Sequence, residues 1–153
     1  MTQYYIGSKQ VLAWEQDRDG EPGYAVKYSD DYTSWSPKAV FEKAYLAQGH
    51  DPSRITPQLI EDFIVNEHYI VVGEAVASGA TTAVLRGPVS GSLDLLTICV
   101  LTLRNGFTVT GESACVTPAN FDAEIGRQIA RRNAVEKVWP LLGFLLATAR
   151  NGV

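Results

Sequence analysis

The sequence predicts an α+β protein: a small β-hairpin-plus-helix N-terminal module, then a three-helix α domain with a long kinked C-terminal helix. Three stretches predict it. "GYAVKYSDDYTSW" alternates Tyr24, Val26 and Tyr28 against Ala25 and Lys27, and the Ser29-Asp30-Asp31 cluster supplies the turn into a second strand, Tyr32 to Trp35. "LDLLTICVLTLR" is apolar nearly all round, as a central core helix would be. From Asn120 to Ala149 a helical pattern runs through Pro140, so a kink is expected between Glu136 and Pro140.

The elements follow in chain order. Tyr4, Ile6, Val11 and Trp14 read as an earlier strand of the N-terminal module. After the hairpin, Ser36 can cap a helix opened by Pro37, with Val40, Phe41, Ala44 and Tyr45 on one face. This module spans residues 1–47, and the polar, aperiodic "QGHDPSR" marks a linker at 48–55. The helical domain occupies 56–153. Thr56 caps its first helix, Pro57 takes the first position, and Ile60, Phe63, Ile64, Glu67 and Ile70 carry it to about Glu74. "SGATTAVLRGPVSGS" is a loop without the GK[ST] ending of a phosphate cradle. Ser92 can cap the central helix, and "LRNGFTVTGESACVTPANFD" reads as an elbow into the last one. Asp122 and Glu124 suit that helix's N-terminal dipole. Val135, Val138, Leu142 and Leu145 suggest a surplus apolar face and a homo-oligomer.

Composition narrows the function classes. An apolar fraction of 46% and a charged fraction of 20% describe a folded chain, and a net charge of −4 argues against a duplex nucleic-acid footprint. Cys99 lies in an apolar run, and Cys115, His50 and His68 have no metal-ligand spacing, so neither a metal nor a cofactor is expected. With no secretory leader read at the start and no apolar run long enough for a bilayer, a cytoplasmic protein without membrane contact is expected. "GESAC" is not a nucleophile elbow, and nothing is placed by sequence to activate Ser113 or Cys115, so the chain is not expected to be an enzyme.

The candidate site lies on the elbow and the last helix, and from Thr117 to Arg150 five basic residues (Arg127, Arg131, Arg132, Lys137, Arg150) outnumber three acidic ones (Asp122, Glu124, Glu136). Arg127 has Glu124 at i−3 and Arg132 has Glu136 at i+4, but Arg131 has no intrahelical acid. It can be a solvated charge, await a phosphate, or meet an acid from another subunit. Arg104, Asn105, Phe107, Thr108, Thr110 and Ser113 on the elbow, with Arg127, Arg131, Lys137 and Trp139 on the helix, are what a nucleotide-sized ligand needs. They are also what a tight turn and a helix cap need.

The stretch "LTICVLTLRNGFTVTGESACVTPANFDAEIGRQIARRNAVEKVWPLLGFLL", with "EDFIVNEHYI" upstream, closely resembles a tailed-phage family of the gene-product-49/gene-66 type over residues 55–149. The resemblance implies a phage origin and no particular activity. "GYAVKYSDDYTSWSPKAVFEKAYL" resembles a short module of the SWSPK-VFE-AY type at the front of several phage proteins. Some of those continue into domains resembling sponges, which sequester nucleotide second messengers of the bacterial CBASS and Thoeris defences. That resemblance implies an oligomeric, non-catalytic counter-defence protein holding a cyclic oligonucleotide or cyclic ADP-ribose type signal. Two alternatives stay open: an inhibitor or adaptor that contacts a host protein through Tyr4, Tyr5, Trp14 and Trp35, and an enzyme that degrades the signal.

Overall fold

Two three-stranded antiparallel sheets organise the chain, each with its strands in sequence order. The computed structural model describes residues 1–84, 86–88 and 90–153. Contacts group into two units, Met1–Leu59 with Leu142–Val153, and Ile60–Leu141.

In the first unit β1 (Leu12–Glu15), β2 (Gly23–Lys27) and β3 (Thr33–Pro37) form a meander, followed by α1 (Lys38–Ala44). The register aligns Trp14, Ala25 and Trp35 across the sheet, so two indoles flank a buried alanine. Gly23 lets the Trp35 ring lie against the β2 backbone, because a Cβ there would meet that ring and the Ser36 carbonyl. The indole N–H of Trp35 donates to the Gln16 carbonyl at 2.7 Å. Phe41 of α1 stacks on Tyr24 at 4.4 Å and on Tyr45 at 4.8 Å. Such offset ring contacts add to the area they bury.

The second helix, α2 (Pro57–Phe63), begins where Thr56 Oγ1 accepts the Leu59 N–H at 3.1 Å, and Pro57 opens it. In the second unit β4 (Ile64–Val71), β5 (Leu96–Leu103) and β6 (Thr108–Ala114) pair in turn, with a bulge near Val65. Between β4 and β5 come α3 (Val72–Ala77) and a 3-10 turn at Gly91–Leu95. The last helix, α4 (Ala123–Asn151), starts at Asp122, whose carboxylate accepts the Glu124 and Ile125 N–H groups.

One face of the second sheet packs against α4. Thr97, Cys99, Leu101 and Leu103 of β5 are buried on it. Gly126, Ala130, Ala134 and Val138, four residues apart, present a narrow buried stripe of α4. A Cβ on Gly111 would meet the backbone of Ala130 and Ala134, and one on Gly126 would come within 3.0 Å of Thr97 Oγ1. Helix and sheet therefore meet through small residues, nearly backbone to backbone.

The three-helix expectation is overturned. The run read as a continuous helix to Glu74 changes from α2 to β4 at Phe63/Ile64, where the β-branched Ile64, Val65, Ile70 and Val71 suit a strand. The run read as the central helix is β5. Its alternation is masked because the buried face alternates with a half-buried one, so almost every position is apolar. The hairpin module is likewise a three-stranded sheet. Tyr4 and Ile6 lie outside its strands and are exposed, and the N-cap of α1 is Pro37, without a side-chain bond from Ser36. Ser90, rather than Ser92, caps the 3-10 turn. Of the loop read at "SGATTAVLRGPVSGS", Leu85 and Val89 lie outside the described residues. Helix α4 continues through Pro140 without interruption, and Val138 and Leu142 belong to the core instead of an outer face.

Candidate functional site

The elbow is a β-hairpin. The Gly106 N–H donates to the Leu103 carbonyl at 2.8 Å, and the Leu103 N–H donates to the Phe107 carbonyl at 2.8 Å. Gly106 has φ +85°, the left-handed position that closes a three-residue hairpin loop at lowest cost. The Asn105 side-chain oxygen accepts the Phe107 N–H at 3.0 Å, so its acceptor is used within the turn. Phe107 is exposed at the tip, and Arg104 donates its backbone N–H to the Phe63 carbonyl at 2.8 Å.

The remaining elbow residues separate by face. Thr108 and Thr110 point to the side of β6 away from α4, whereas Ser113 alternates with them and shares the face of Gly111. The Lys137 ammonium donates to the Thr110 carbonyl at 2.6 Å, and Asn133 Nδ2 donates to the Glu112 carbonyl at 2.8 Å. These two α4 side chains occupy carbonyls on the outer side of β6, an edge strand that would otherwise offer a pairing template. Trp139 is half-buried on the same helix.

Both central arginines are neutralised within the chain. Arg127 donates to Glu124 at 2.6 Å. Arg131 forms a two-pronged bond with Glu61 of α2, at 3.2 and 2.7 Å, and a third with Glu67 of β4 at 2.7 Å. These bonds raise the Arg131 pKa, and the Arg131 bond holds the Glu61 carboxyl below its usual range. Arg132 and Glu136 form no ion pair with each other among the described residues.

Beside this clamp, burial and then the Glu67 charge push the Tyr69 hydroxyl up to about 12. Burial also raises the Cys99 thiol, which keeps it protonated and poorly nucleophilic. Cys115 Sγ donates to the Thr117 carbonyl at 3.2 Å.

The ten residues singled out in the sequence do not converge on one point. Gly126 sits over Thr97, whereas the hairpin tip follows Leu103, six residues along β5. At the strand rise this separates Arg127 from the tip by about 20 Å.

A separate open cleft of about 670 Å³ lies in the first unit, lined by Lys9, Gln10, Tyr28, Ser29, Asp30, Tyr32, Ser34, Ala149 and Arg150. The β2–β3 turn builds one wall. The Tyr28 N–H donates to the Tyr32 carbonyl at 2.9 Å, and the Asp31 N–H donates to the Tyr28 carbonyl at 3.1 Å. Asp31 takes φ +64°, and its carboxylate pairs with Lys27 at 2.8 Å. This tight reversal stacks Tyr28 and Tyr32 at 6.0 Å with 22° between their planes.

Lys9 stands 5.6 Å from the Tyr28 ring centre. Gln10 ties the opposite wall together, donating through Nε2 to Gln48 and to the Pro52 carbonyl, both at 2.7 Å. Arg150 donates to the same carbonyl at 3.2 Å, which anchors it beside the cleft. Sequence reasoning missed this constellation. The available signal was the Tyr-Ser-Asp-Asp-Tyr reversal, whose two rings return to one side of a hairpin; Lys9 and Arg150 are too distant in sequence to be grouped with it.

Among the described residues, no helix is long and apolar enough to cross a membrane. Neither a curated protein nor a solved structure matches the chain. A family model does, over residues 55–149, which include the β4–β6 sheet and nearly all of α4. The chain thus belongs to the phage protein (N4 Gp49/phage Sf6 gene 66) family.

Proposed function

We propose that this phage protein works by binding and holds an anionic nucleotide-type signal intact, of the cyclic oligonucleotide or cyclic ADP-ribose class. The observation that carries this reading is the chemistry of the cleft: two cations, Lys9 and Arg150, beside the paired rings of Tyr28 and Tyr32. Phosphates suit the cations, a base suits the exposed Tyr32 face, and Ser34 and Gln10 offer polar contacts for a sugar. Asp30 supplies the acidic group of the lining, and its carboxylate accepts the Tyr32 N–H at 3.2 Å. The resemblance of the N-terminal module to those preceding phage sponges supports sequestration as the biological role.

The test is a thermal-shift and calorimetric panel of cyclic dinucleotides, cyclic trinucleotides and cyclic ADP-ribose isomers. One member should raise Tm, Lys9→Ala and Tyr32→Ala should each weaken binding about tenfold or more, and denaturation should release the ligand unchanged. Failure of the whole panel to bind sinks the reading, and time-dependent loss of the ligand replaces it with catalysis.

A second reading rests on a different observation. Tyr4, Tyr5 and Ile6 are almost fully exposed, as anchors for a partner protein would be. Recovery of a stoichiometric host protein that Tyr4→Ala/Tyr5→Ala releases would favour that reading.

A further inference from the structure

Helix α4 is continuous from Ala123 to Asn151, so spacing along it fixes which residues share a side. Near its end Val138 and Leu142 face the core. The opposite side should be polar on an ordinary surface helix. It carries Pro140, Gly143, Phe144 and Ala147 instead, all exposed, with Phe144 at 76%. Their spacing of three, four and seven residues is that of a helix–helix seam. A Cβ on Gly143 would meet nothing within 4 Å, so another backbone can approach closely there.

Charge selects the occupant. Glu136 and Arg150 are both exposed and each lies seven residues from Gly143, about 10.5 Å along the axis in opposite directions. Glu136 makes no ion pair among the described residues, and Arg150 donates to a neutral carbonyl. A stripe with opposite charges equidistant from its centre complements a reversed copy of itself.

We propose that α4 packs antiparallel against α4 of a second copy of this chain, across a two-fold axis at Gly143. Phe144 and Ala147 fill the seam on both sides of the axis, and Glu136 pairs with Arg150 of the partner subunit. The two-fold makes every contact twice, so two ion pairs close the ends of one apolar contact. Arg150 also lines the cleft, so the single variants at Glu136 and Gly143, which lie outside that lining, test this inference separately from the nucleotide reading.

The test is sedimentation equilibrium and native mass spectrometry of the full chain. The wild type forms a dimer. Glu136→Arg, which places like charges together at both ends, weakens dimerisation roughly tenfold, and Glu136→Arg/Arg150→Glu restores it. Circular dichroism checks that each variant is folded, and a misfolded Glu136→Arg is replaced in the comparison by Glu136→Gln against Glu136→Asp. Gly143→Cys forms an intersubunit disulfide under mild oxidation because the two positions face each other on the axis. A monomeric wild type overturns the proposal. So does a dimer whose affinity folded charge variants leave unchanged, or one that Gly143→Cys fails to cross-link.

Discussion

The two sheets share strand number and strand order, yet they are held in opposite ways. In β1–β3 the contacts come from large side chains: Trp14 and Trp35 flank Ala25, and Tyr24, Phe41 and Tyr45 form a stacked column with α1. In β4–β6 the decisive positions have little or no side chain, with Gly111 under Ala130 and Ala134, and Gly126 over Thr97. Aromatic columns are partly exposed and can shift. A seam where the helix backbone rests on the sheet has no side chain to move aside.

The largest effect should therefore come from the smallest substitution. Gly111→Ala places a methyl against the backbone of Ala130 and Ala134, so α4 must lift from the sheet. The expected loss is about 3 kcal/mol, or roughly 10 °C in Tm for a chain of this size. Thermal unfolding followed by circular dichroism measures it, and an unchanged Tm would break the contrast between the sheets. Phe41→Ala, which removes both stacks from the aromatic column, should cost about 2 kcal/mol because the ring is only half-buried. Phe41→Leu should recover about half of that. Hydrogen exchange should place the Phe41→Ala loss in β2 and α1 and leave β5 protected.

The same contrast decides what could be read in the sequence. The first sheet is legible because Tyr24, Val26 and Tyr28 alternate with Ala25 and Lys27, and Ser29-Asp30-Asp31 announces a turn. In the second sheet, β5 is central and covered on one face, and its other face is half-buried. Its period of two vanishes into an apolar run that suits a buried helix equally well. Asn105-Gly106 was the available discriminator, since that pair between β-branched runs marks a hairpin. For the candidate site, local pairs were accessible: Arg127 does bond to Glu124, three residues away. Arg131 looked unneutralised because its partners, Glu61 and Glu67, lie 70 and 64 residues away and meet it only once β4 is recognised as a strand beside α4. The Lys9 and Arg150 walls of the cleft are farther apart still.

The Arg131 clamp sharpens the comparison at its smallest scale, because it adds a charged contact at the edge of a seam whose buried centre is made of small residues. Its side chains remain 30–48% exposed, so solvent screening limits the contribution of Arg131→Met to about 1 kcal/mol. Its dependence on pH is more diagnostic than its size. Glu61 has a depressed pKa in the fold, mainly through its bond to Arg131. The stabilisation from its carboxylate is present above the ordinary carboxylate range and is lost as pH falls through the depressed folded value. Glu61→Gln should lower stability near pH 7, and the difference from wild type should shrink towards zero on acidification. Asp51 and Glu124 also have depressed values, so acid destabilises the wild type through other groups as well. The informative quantity is the difference between the two proteins in urea unfolding at pH 7 and near pH 3. If that gap stays constant, Glu61 acts through packing alone, and the charged contacts of α4 that matter are those to the sheet itself, Arg131 with Glu67 and Lys137 with Glu112.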